Sequence, residues 1–450
     1  MSLQPPLIKI SPTRELNELF SDIHPPLTPR QAELESARCL YCYDAPCVKA
    51  CPSEIDIPSF INAIHHENIE GAAQTIYSSN ILGGTCARVC PTEILCEQSC
   101  VRNKEAECAP VLIGLLQRYA TDHAQFEGHP FSREPETGKR IAIVGGGPAG
   151  LSCAHRLSMK GHQVEIFEAH EKAGGLNEYG IARYKMTEDF AAKEVDFILS
   201  LGGITLHTEK VLGRDLSLAE LQAEFDAVFL AIGLQGTRQL MLAHEALETV
   251  QNAVDYIRQL RQASDLSELD VPRRAVVIGA GNTAIDIACQ LKRLGSEEVT
   301  LVYRRGAESM SATAHEQAIA KAHEVQIKTW SKPEHLLVDD AGALVGVEFR
   351  STAMDQGQLI DLDTTYEIGC DAVFKAVGQT LVLPENEGGL SSLVKSGKLA
   401  VNSEFQTAIP KVYAGGDCTS VGQDLTVEAV QQGKRAAEAI HSFLILADKA

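Results

Sequence analysis

Eight cysteines fall between residues 39 and 100, in two runs: Cys39, Cys42, Cys47 and Cys51 before Pro52, then Cys86, Cys90 before Pro91, Cys96 and Cys100. Thiols this dense either close disulfides or hold metal. The first run, C-x2-C-x4-C-x3-C-P, lies close to the iron–sulfur run C-x2-C-x2-C-x3-C-P. In that run the fourth cysteine crosses to a second cluster and the proline turns the chain away. Cys90, Cys96 and Cys100 would supply the remaining thiolates, with Cys86 surplus. Seven thiolates for two 4Fe–4S clusters leave one position open. Structural zinc is the competing chemistry, but zinc favours regular C-x2–4-C knuckles, and these intervals are irregular.

Two glycine-rich turns add a second kind of chemistry. The apolar run Ile141 to Val144 leads into Gly145, Gly147 and Gly150, a G-x-G-x-x-G turn before a helix from Leu151 to Met159. Glycines there let the backbone approach a pyrophosphate at the positive end of a helix. The next strand, Gln163 to Phe167, ends in Glu168, whose carboxylate suits the hydroxyls of an adenosine ribose. Gly175 and Leu176 follow soon after, and far downstream Gly415, Gly416 and Asp417 end a strand before a helix from about Leu425 to Leu444. That ending can reach the ribityl chain of a flavin, with the helix N-terminus toward the pyrimidine edge of the ring. A lone glycine motif is weak, but strand, helix and terminal acid together point to a dinucleotide; the Gly-Gly-Asp ending points to FAD, against the alternative of a simple turn with a solvated Asp417.

The second turn has Gly279, Gly281 and Ala284, with Asn282 and Thr283 between them, after the strand Ala275 to Ile278. Its following strand, Val299 to Tyr303, ends in Arg304 and Arg305 and carries no acid. A guanidinium suits a 2′-phosphate, so NAD(P)H is expected here, with a lean toward NADPH. The bland alternative is that these arginines are solvated or pair with Glu308. Cys153, Cys289, Cys370 and Cys418 stand singly and form no redox pair, so each reads as a small buried hydrophobe.

The elements that must position these groups follow from the chain's texture. Its 450 residues are too many for one core. Residues 1–125 read as an all-helical domain holding the cysteine runs, with helices at Ile57 to His66, Gly71 to Asn80 and Ile113 to His123. Residues 126–138 read as a linker. From Lys139 onward, β-branched runs alternate with Ala-rich helices, the texture of an α/β fold with parallel sheet. Asp226-Ala-Val-Phe-Leu-Ala-Ile-Gly233 is echoed by Asp371-Ala-Val-Phe-Lys-Ala-Val-Gly378. Two Rossmann-like nucleotide-binding domains are therefore expected, the second inserted in the first: 139–235 with 379–450 for FAD, and 236–378 for NAD(P)H. A net charge of −20 argues against nucleic acid and anionic membrane as partners. The N-terminal stretch has no basic region before an apolar run, and no segment reaches membrane-spanning length, so a cytoplasmic protein is expected.

With these residues in place, the chain from about Arg38 onward resembles the family that joins an N-terminal iron–sulfur domain to an FAD/NAD(P)H module. That family includes the glutamate synthase small subunit and the electron-input half of dihydropyrimidine dehydrogenase. The most specific stretches are Arg38-Cys-Leu-Tyr-Cys-Tyr-Asp-Ala-Pro-Cys47, Cys86-Ala-Arg-Val-Cys-Pro-Thr-Glu-Ile-Leu-Cys96 and Ile113-Gly-Leu-Leu-Gln-Arg-Tyr119. The spacing from Cys90 to Cys100, and Gln117 within Ile113-Gly-x-x-Gln, are similar to the dihydropyrimidine branch. The resemblance implies Cys39, Cys42, Cys47 and Cys100 around one cluster, and Cys51, Cys90, Cys96 and Gln117 around the other. Ala182 stands where many relatives have proline, and Ser311 where animal members place a further arginine on the NADPH phosphate.

The resemblance implies an oxidoreductase with no catalytic acid or base of its own. Electrons would pass from NAD(P)H through FAD and two 4Fe–4S clusters to a partner chain, an FMN-containing β/α barrel that reduces uracil or thymine. The alternatives are a glutamate synthase small subunit-like NADPH oxidoreductase feeding another acceptor, and a zinc-stabilised nucleotide-binding protein without turnover.

Overall fold

The computed structural model describes residues 16, 18–104 and 109–447. The parts of the expected domains at 1–15, 17, 105–108 and 448–450 lie outside the described residues. Two compact units divide the chain. One holds His24–Glu178, Glu188–Gln235 and the chain from Leu381 on; the other holds the chain up to Ile23, Tyr179–Thr187 and Gly236–Thr380.

The first unit opens with a helical layer: Pro29–Ser36, Pro46–Ala50, Ile57–His65, Ile69–Ser79, Gly83–Val89 and Ile113–His123. Polar residues start several of these helices. Asp56 accepts the Ser59 amide at 3.2 Å, and Asn68 accepts the Gly71 amide at 3.0 Å, each satisfying an otherwise orphaned donor. The layer closes on Phe60, Ile61, Ile76 and Leu116, all fully buried. Residues 126–138, expected as a linker, contain no helix or strand but are packed down, with Phe126 and Phe131 against the adjoining core.

The same unit continues into a five-stranded parallel sheet ordered Val412–Ala414, Ala227–Leu230, Arg140–Val144, Gln163–Phe167, Ile204–His207. Its central runs Ile141–Val144 and Ala227–Leu230 are buried throughout, as a parallel sheet covered on both faces requires. Helices Pro148–Met159 and Thr426–Ala447 pack against each other so closely that a Cβ on Gly433 would stand 2.1 Å from the Ala149 carbonyl oxygen.

The second unit repeats the plan with Val250–Asn252, Ala372–Ala376, Arg274–Gly279, Glu298–Val302, Gln326–Lys328, again all parallel. A three-stranded antiparallel sheet, Ser331–Val338, Leu344–Asp355 and Gln358–Gly369, was not foreseen from sequence. The sequence echo is a structural one. Asp226 Oδ2 accepts the Arg140 amide and Asp371 Oδ2 accepts the Arg274 amide, each at 2.9 Å, pinning corresponding strand starts.

Two short segments fall elsewhere than expected. Leu16 and Phe20, expected in the iron–sulfur domain, are buried in the core of the second unit. Tyr179–Thr187, expected in the FAD domain, joins that unit too. There Lys185 is buried between Asp286 at 2.8 Å and Glu316 at 2.7 Å. Both departures have the same cause: apolar residues and an ion triad that find their burial far away in sequence. Among the described residues, no helix is long and apolar enough to cross a membrane.

Candidate functional site

The first glycine turn is shaped by close approaches that exclude side chains. Gly145 has φ +105°, and a Cβ there would stand 2.3 Å from the Ala231 carbonyl oxygen. A Cβ on Gly150 would stand 2.0 Å from the Gly145 carbonyl oxygen. Gly147 caps helix Pro148–Met159, and no side chain bonds its first-turn amides. Those donors are left for a phosphate.

Around this turn the expected residues converge. Glu168, buried, accepts the Gly146 amide on Oε2 at 2.7 Å and the His170 amide on Oε1 at 2.9 Å. A Cβ on Gly175 would stand 2.8 Å from Gly147 Cα, and one on Gly416 would stand 3.0 Å from Ala149 Cβ. Leu176 opens the short helix Leu176–Tyr179. Gly415 packs on Phe229, and the neighbouring Asp417 carboxyl is pushed up to about 6, by burial first and then by Asp424. The cradle has the backbone donors and the side-chain-free floor that a dinucleotide needs.

The second turn is built alike. A Cβ on Gly279 would stand 2.2 Å from the Ala376 carbonyl oxygen, and Gly281 caps helix Asn282–Leu294 with no side chain on its amides. Asn282, Thr283 and Ala284 form the helix's first residues. Arg304 is exposed and Arg305 half-buried at the end of the next strand. Neither guanidinium has a partner among the described residues. Glu308 instead folds back over Gly306. Ser311 Oγ stands 3.3 Å from where a Gly281 Cβ would lie.

The cysteines separate into two sets. Cys39, Cys42, Cys47 and Cys100 line one cavity, walled otherwise mainly by Ile57, Ile61, Val111 and Ile113. Burial raises the Cys39 thiol and pushes Cys47 up to about 11, with neighbouring thiols of the set adding to both. The second set is Cys51, Cys86, Cys90 and Cys96, whose fields overlap at Cys90. Cys90 is raised first by a hydrogen bond with Cys86, then by burial. Cys86, surplus in the sequence reading, is thus a neighbour of the second set. Gln117 is buried, and its Nε2 donates to the Gly83 carbonyl oxygen at 2.7 Å. That bond fixes the amide and leaves Oε1 without a hydrogen bond among the described residues. Four thiols around a largely apolar cavity fit iron–sulfur ligation, and Gln117 does not line that cavity.

Three contacts invisible in the sequence tie the helical layer to the first sheet domain. Glu194, on helix Phe190–Leu199, accepts the amides of Gly84 and Thr85 and the Thr85 hydroxyl. Arg156 donates to the Ser78 carbonyl oxygen at 2.9 Å. Lys434 donates to the carbonyl oxygens of Ser79 and Ser53 at 2.8 and 3.2 Å. The single cysteines Cys153, Cys289, Cys370 and Cys418 are fully buried, and burial raises every one of their thiols.

Comparisons with known proteins bear on the same features. Residues 15–129 match the family described as dihydropyrimidine dehydrogenase domain II, 4Fe-4S cluster. Residues 139–433 match the pyridine nucleotide-disulphide oxidoreductase family. The NAD-dependent dihydropyrimidine dehydrogenase subunit PreT of Escherichia coli (strain K12) is 34% identical over 426 residues, covering 94% of this chain and 97% of that protein. The glutamate synthase (NADPH) small chain of the same strain is 32% identical over 451 residues, covering 94% of each. Among solved structures, Mycobacterium tuberculosis FprA in complex with NADPH superposes with a TM-score of 0.59 at 19% identity, over 70% of this chain and 86% of that one. Thioredoxin reductase of T. acidophilum gives 0.52 at 20% identity, over 68% and 99%. These structural likenesses show the two-domain nucleotide-binding fold.

Fold, turns and thiols define an NAD(P)H-dependent FAD oxidoreductase that transfers electrons through 4Fe–4S iron–sulfur chemistry. Within that class, the chain belongs to the pyridine nucleotide-disulphide oxidoreductase family, in the branch that carries the dihydropyrimidine dehydrogenase iron–sulfur domain.

Proposed function

We propose that this chain is the electron-input subunit of a dihydropyrimidine dehydrogenase. It would draw electrons from NAD(P)H and deliver them to a separate FMN-containing β/α-barrel chain that reduces uracil or thymine. When bound, FAD takes two electrons from the nicotinamide and gives them up singly, which iron–sulfur clusters require. Gly145, Gly147, Gly150, Glu168, Gly175, Leu176, Gly415, Gly416 and Asp417 would hold FAD, and Gly279, Gly281, Asn282, Thr283, Ala284, Arg304 and Arg305 would hold NAD(P)H. Cys39, Cys42, Cys47 and Cys100 would ligate one cluster; Cys51, Cys90, Cys96 and Gln117 would ligate the other.

The observation that carries this reading is the grouping of the cysteines. One set, buried apart from the partly exposed Cys90, lies beside residues bonded to the FAD domain. The other is half-buried and flanked by exposed Leu40, Tyr41 and Tyr43. A buried set next to the flavin domain and a surface set beside an apolar rim suit entry and exit of electrons. The relative named as a subunit of an NAD-dependent dihydropyrimidine dehydrogenase supports a separate partner chain as the acceptor.

The test is reconstitution. Anaerobically purified chain should reduce a small artificial acceptor with NAD(P)H but leave uracil untouched. Adding the FMN-containing chain should start uracil reduction. Uracil reduction by this chain alone would refute the division of labour. The second reading, a small subunit serving a glutamine amidotransferase chain, rests on the nearly equal likeness to the glutamate synthase relative. Co-purification with such a chain would select it.

A further inference from the structure

Lys434 lies on the long helix Thr426–Ala447, next to Gly433, where the helix touches the first turn helix. Ser152 Oγ also donates to the Val430 carbonyl oxygen at 2.8 Å, so this stretch is held rigidly on the flavin cradle. From there the ammonium reaches across to the helical layer. It donates to Ser79 O at 2.8 Å and to Ser53 O at 3.2 Å. Ser53 is fully buried, and its hydroxyl lies 3.5 Å from Cys51 Sγ and 3.3 Å from Asn80 Nδ2.

Burial and the neighbouring Arg156 pull the Lys434 ammonium down to about 8, while Glu54 and Glu438 favour its charge from longer range. Among the described residues no carboxylate lies within ion-pair distance of its Nζ. The neighbouring Arg156 does pair, with Glu438 at 3.7 Å. A half-buried cation bonded to the carbonyl oxygen of Ser53, two residues along from Cys51, stabilises added negative charge on that segment, because little water screens it. The potential of an iron–sulfur cluster responds to such charge and to hydrogen bonding around its ligands.

We propose that Lys434 is a positioning residue that holds the Cys51–Ser53 segment against the flavin domain and makes the cluster on Cys51 the easier of the two to reduce. Electrons leaving the flavin then enter at the Cys51 set, one per step and with no proton transferred. This inference rests on the reading of Cys51 as a cluster ligand.

The experiment is a redox titration of the anaerobically purified full chain, followed by electron paramagnetic resonance, with iron and FAD measured on the same sample. Wild type should carry about eight irons per chain and two distinguishable midpoints. Lys434→Met should keep its iron and FAD, move one midpoint to more negative potential and leave the other unmoved. Lys434→Arg should restore the wild-type midpoint. If Lys434→Met loses iron, Lys434→Gln, which keeps a donor without the charge, takes its place. Unmoved midpoints in an iron-replete neutral variant overturn the proposal. So does an equal shift in Lys434→Arg, or loss of iron from all three variants, which would make Lys434 a packing residue. Wild type without two clusters overturns the cluster reading itself, a separate failure.

Discussion

The two nucleotide-binding domains share a frame and differ at its ends. Both have five parallel strands in matching order, an aspartate pinning the strand start, and a glycine on which a Cβ would stand 2.2–2.3 Å from a carbonyl oxygen. In both, the middle carbonyl of the turn is held by a downstream amide, Gly174 in one and Ala312 in the other. What differs is the residue closing the second strand. In the flavin domain Glu168 bonds the turn's Gly146 amide; in the dinucleotide domain the Arg304 and Arg305 guanidinium groups have no partner among the described residues. In the proposed reading the frame would face a pyrophosphate, and the strand end would select what is attached to it.

The largest test of that comparison is the third position of each motif. Gly150 has no room for a Cβ, whereas Ala284 occupies the corresponding place in the second turn and is fully buried. Gly150→Ala should therefore purify without FAD, read as loss of the flavin absorbance. Ala284→Gly should keep FAD and cost about 1 kcal/mol of stability through helix propensity alone. Retention of flavin by Gly150→Ala would show that the first turn is looser than its geometry implies.

A second difference lies in what each domain leans on. The flavin domain sends Glu194 into the helices that carry the cysteines. Burial outweighs its three hydrogen-bond donors and the nearby Arg88, pushing its carboxyl up to about 7. The unfolded chain loses that proton near the ordinary value of 4.5. As pH rises from there toward 7, the unfolded state is increasingly favoured, and the loss levels off above the folded value. The span corresponds to on the order of 3 kcal/mol. Glu194→Gln, neutral at every pH, should flatten the fall in urea midpoint between about pH 5 and 8. An equal slope in both proteins would assign the pH dependence to other groups.

The alternation of β-branched runs and glycine turns made the two parallel sheets legible, because parallel strands must be apolar along their whole length. The cysteine spacing made the thiol-rich layer legible, and the expected first ligand set lines one cavity. The contacts of Glu194, Lys434 and Lys185 were not legible. Each is a lone charge whose partners are backbone groups or residues from distant segments, and no local pattern announces such pairs. The sheet at 331–369 was missed for a related reason. Its outermost strand, Gln358–Gly369, is largely exposed and carries little apolar alternation.

Removing Glu168 should have a smaller effect than filling the turn. Its carboxylate holds two backbone amides, and a charged hydrogen bond is worth about 1.5–3 kcal/mol. Glu168→Ala should fold, bind FAD roughly 10–100-fold more weakly and release it on dilution, as followed by flavin fluorescence. If affinity is unchanged, the acid serves the turn and not the ribose.

The subtlest difference between the domains is the one at Arg304 and Arg305. Two free guanidinium groups at the end of a strand have no structural work to do, since neither ties its loop to anything among the described residues. Their backbones are already fixed, by the Thr352 hydroxyl on the Arg304 carbonyl and the Trp330 amide on the Arg305 carbonyl. Replacing both with alanine should therefore leave stability and FAD content unchanged. What it should alter is selection between the two nicotinamide dinucleotides. A guanidinium on a 2′-phosphate makes charge-assisted bonds that NADH cannot accept. The double variant should raise KM for NADPH about tenfold, a loss near 1.4 kcal/mol, with kcat and the NADH parameters little changed. Equal effects on both dinucleotides would place the arginines on the shared pyrophosphate. No effect on either would return them to the solvent, leaving Glu168 as the only one of the two strand ends that reads its ligand.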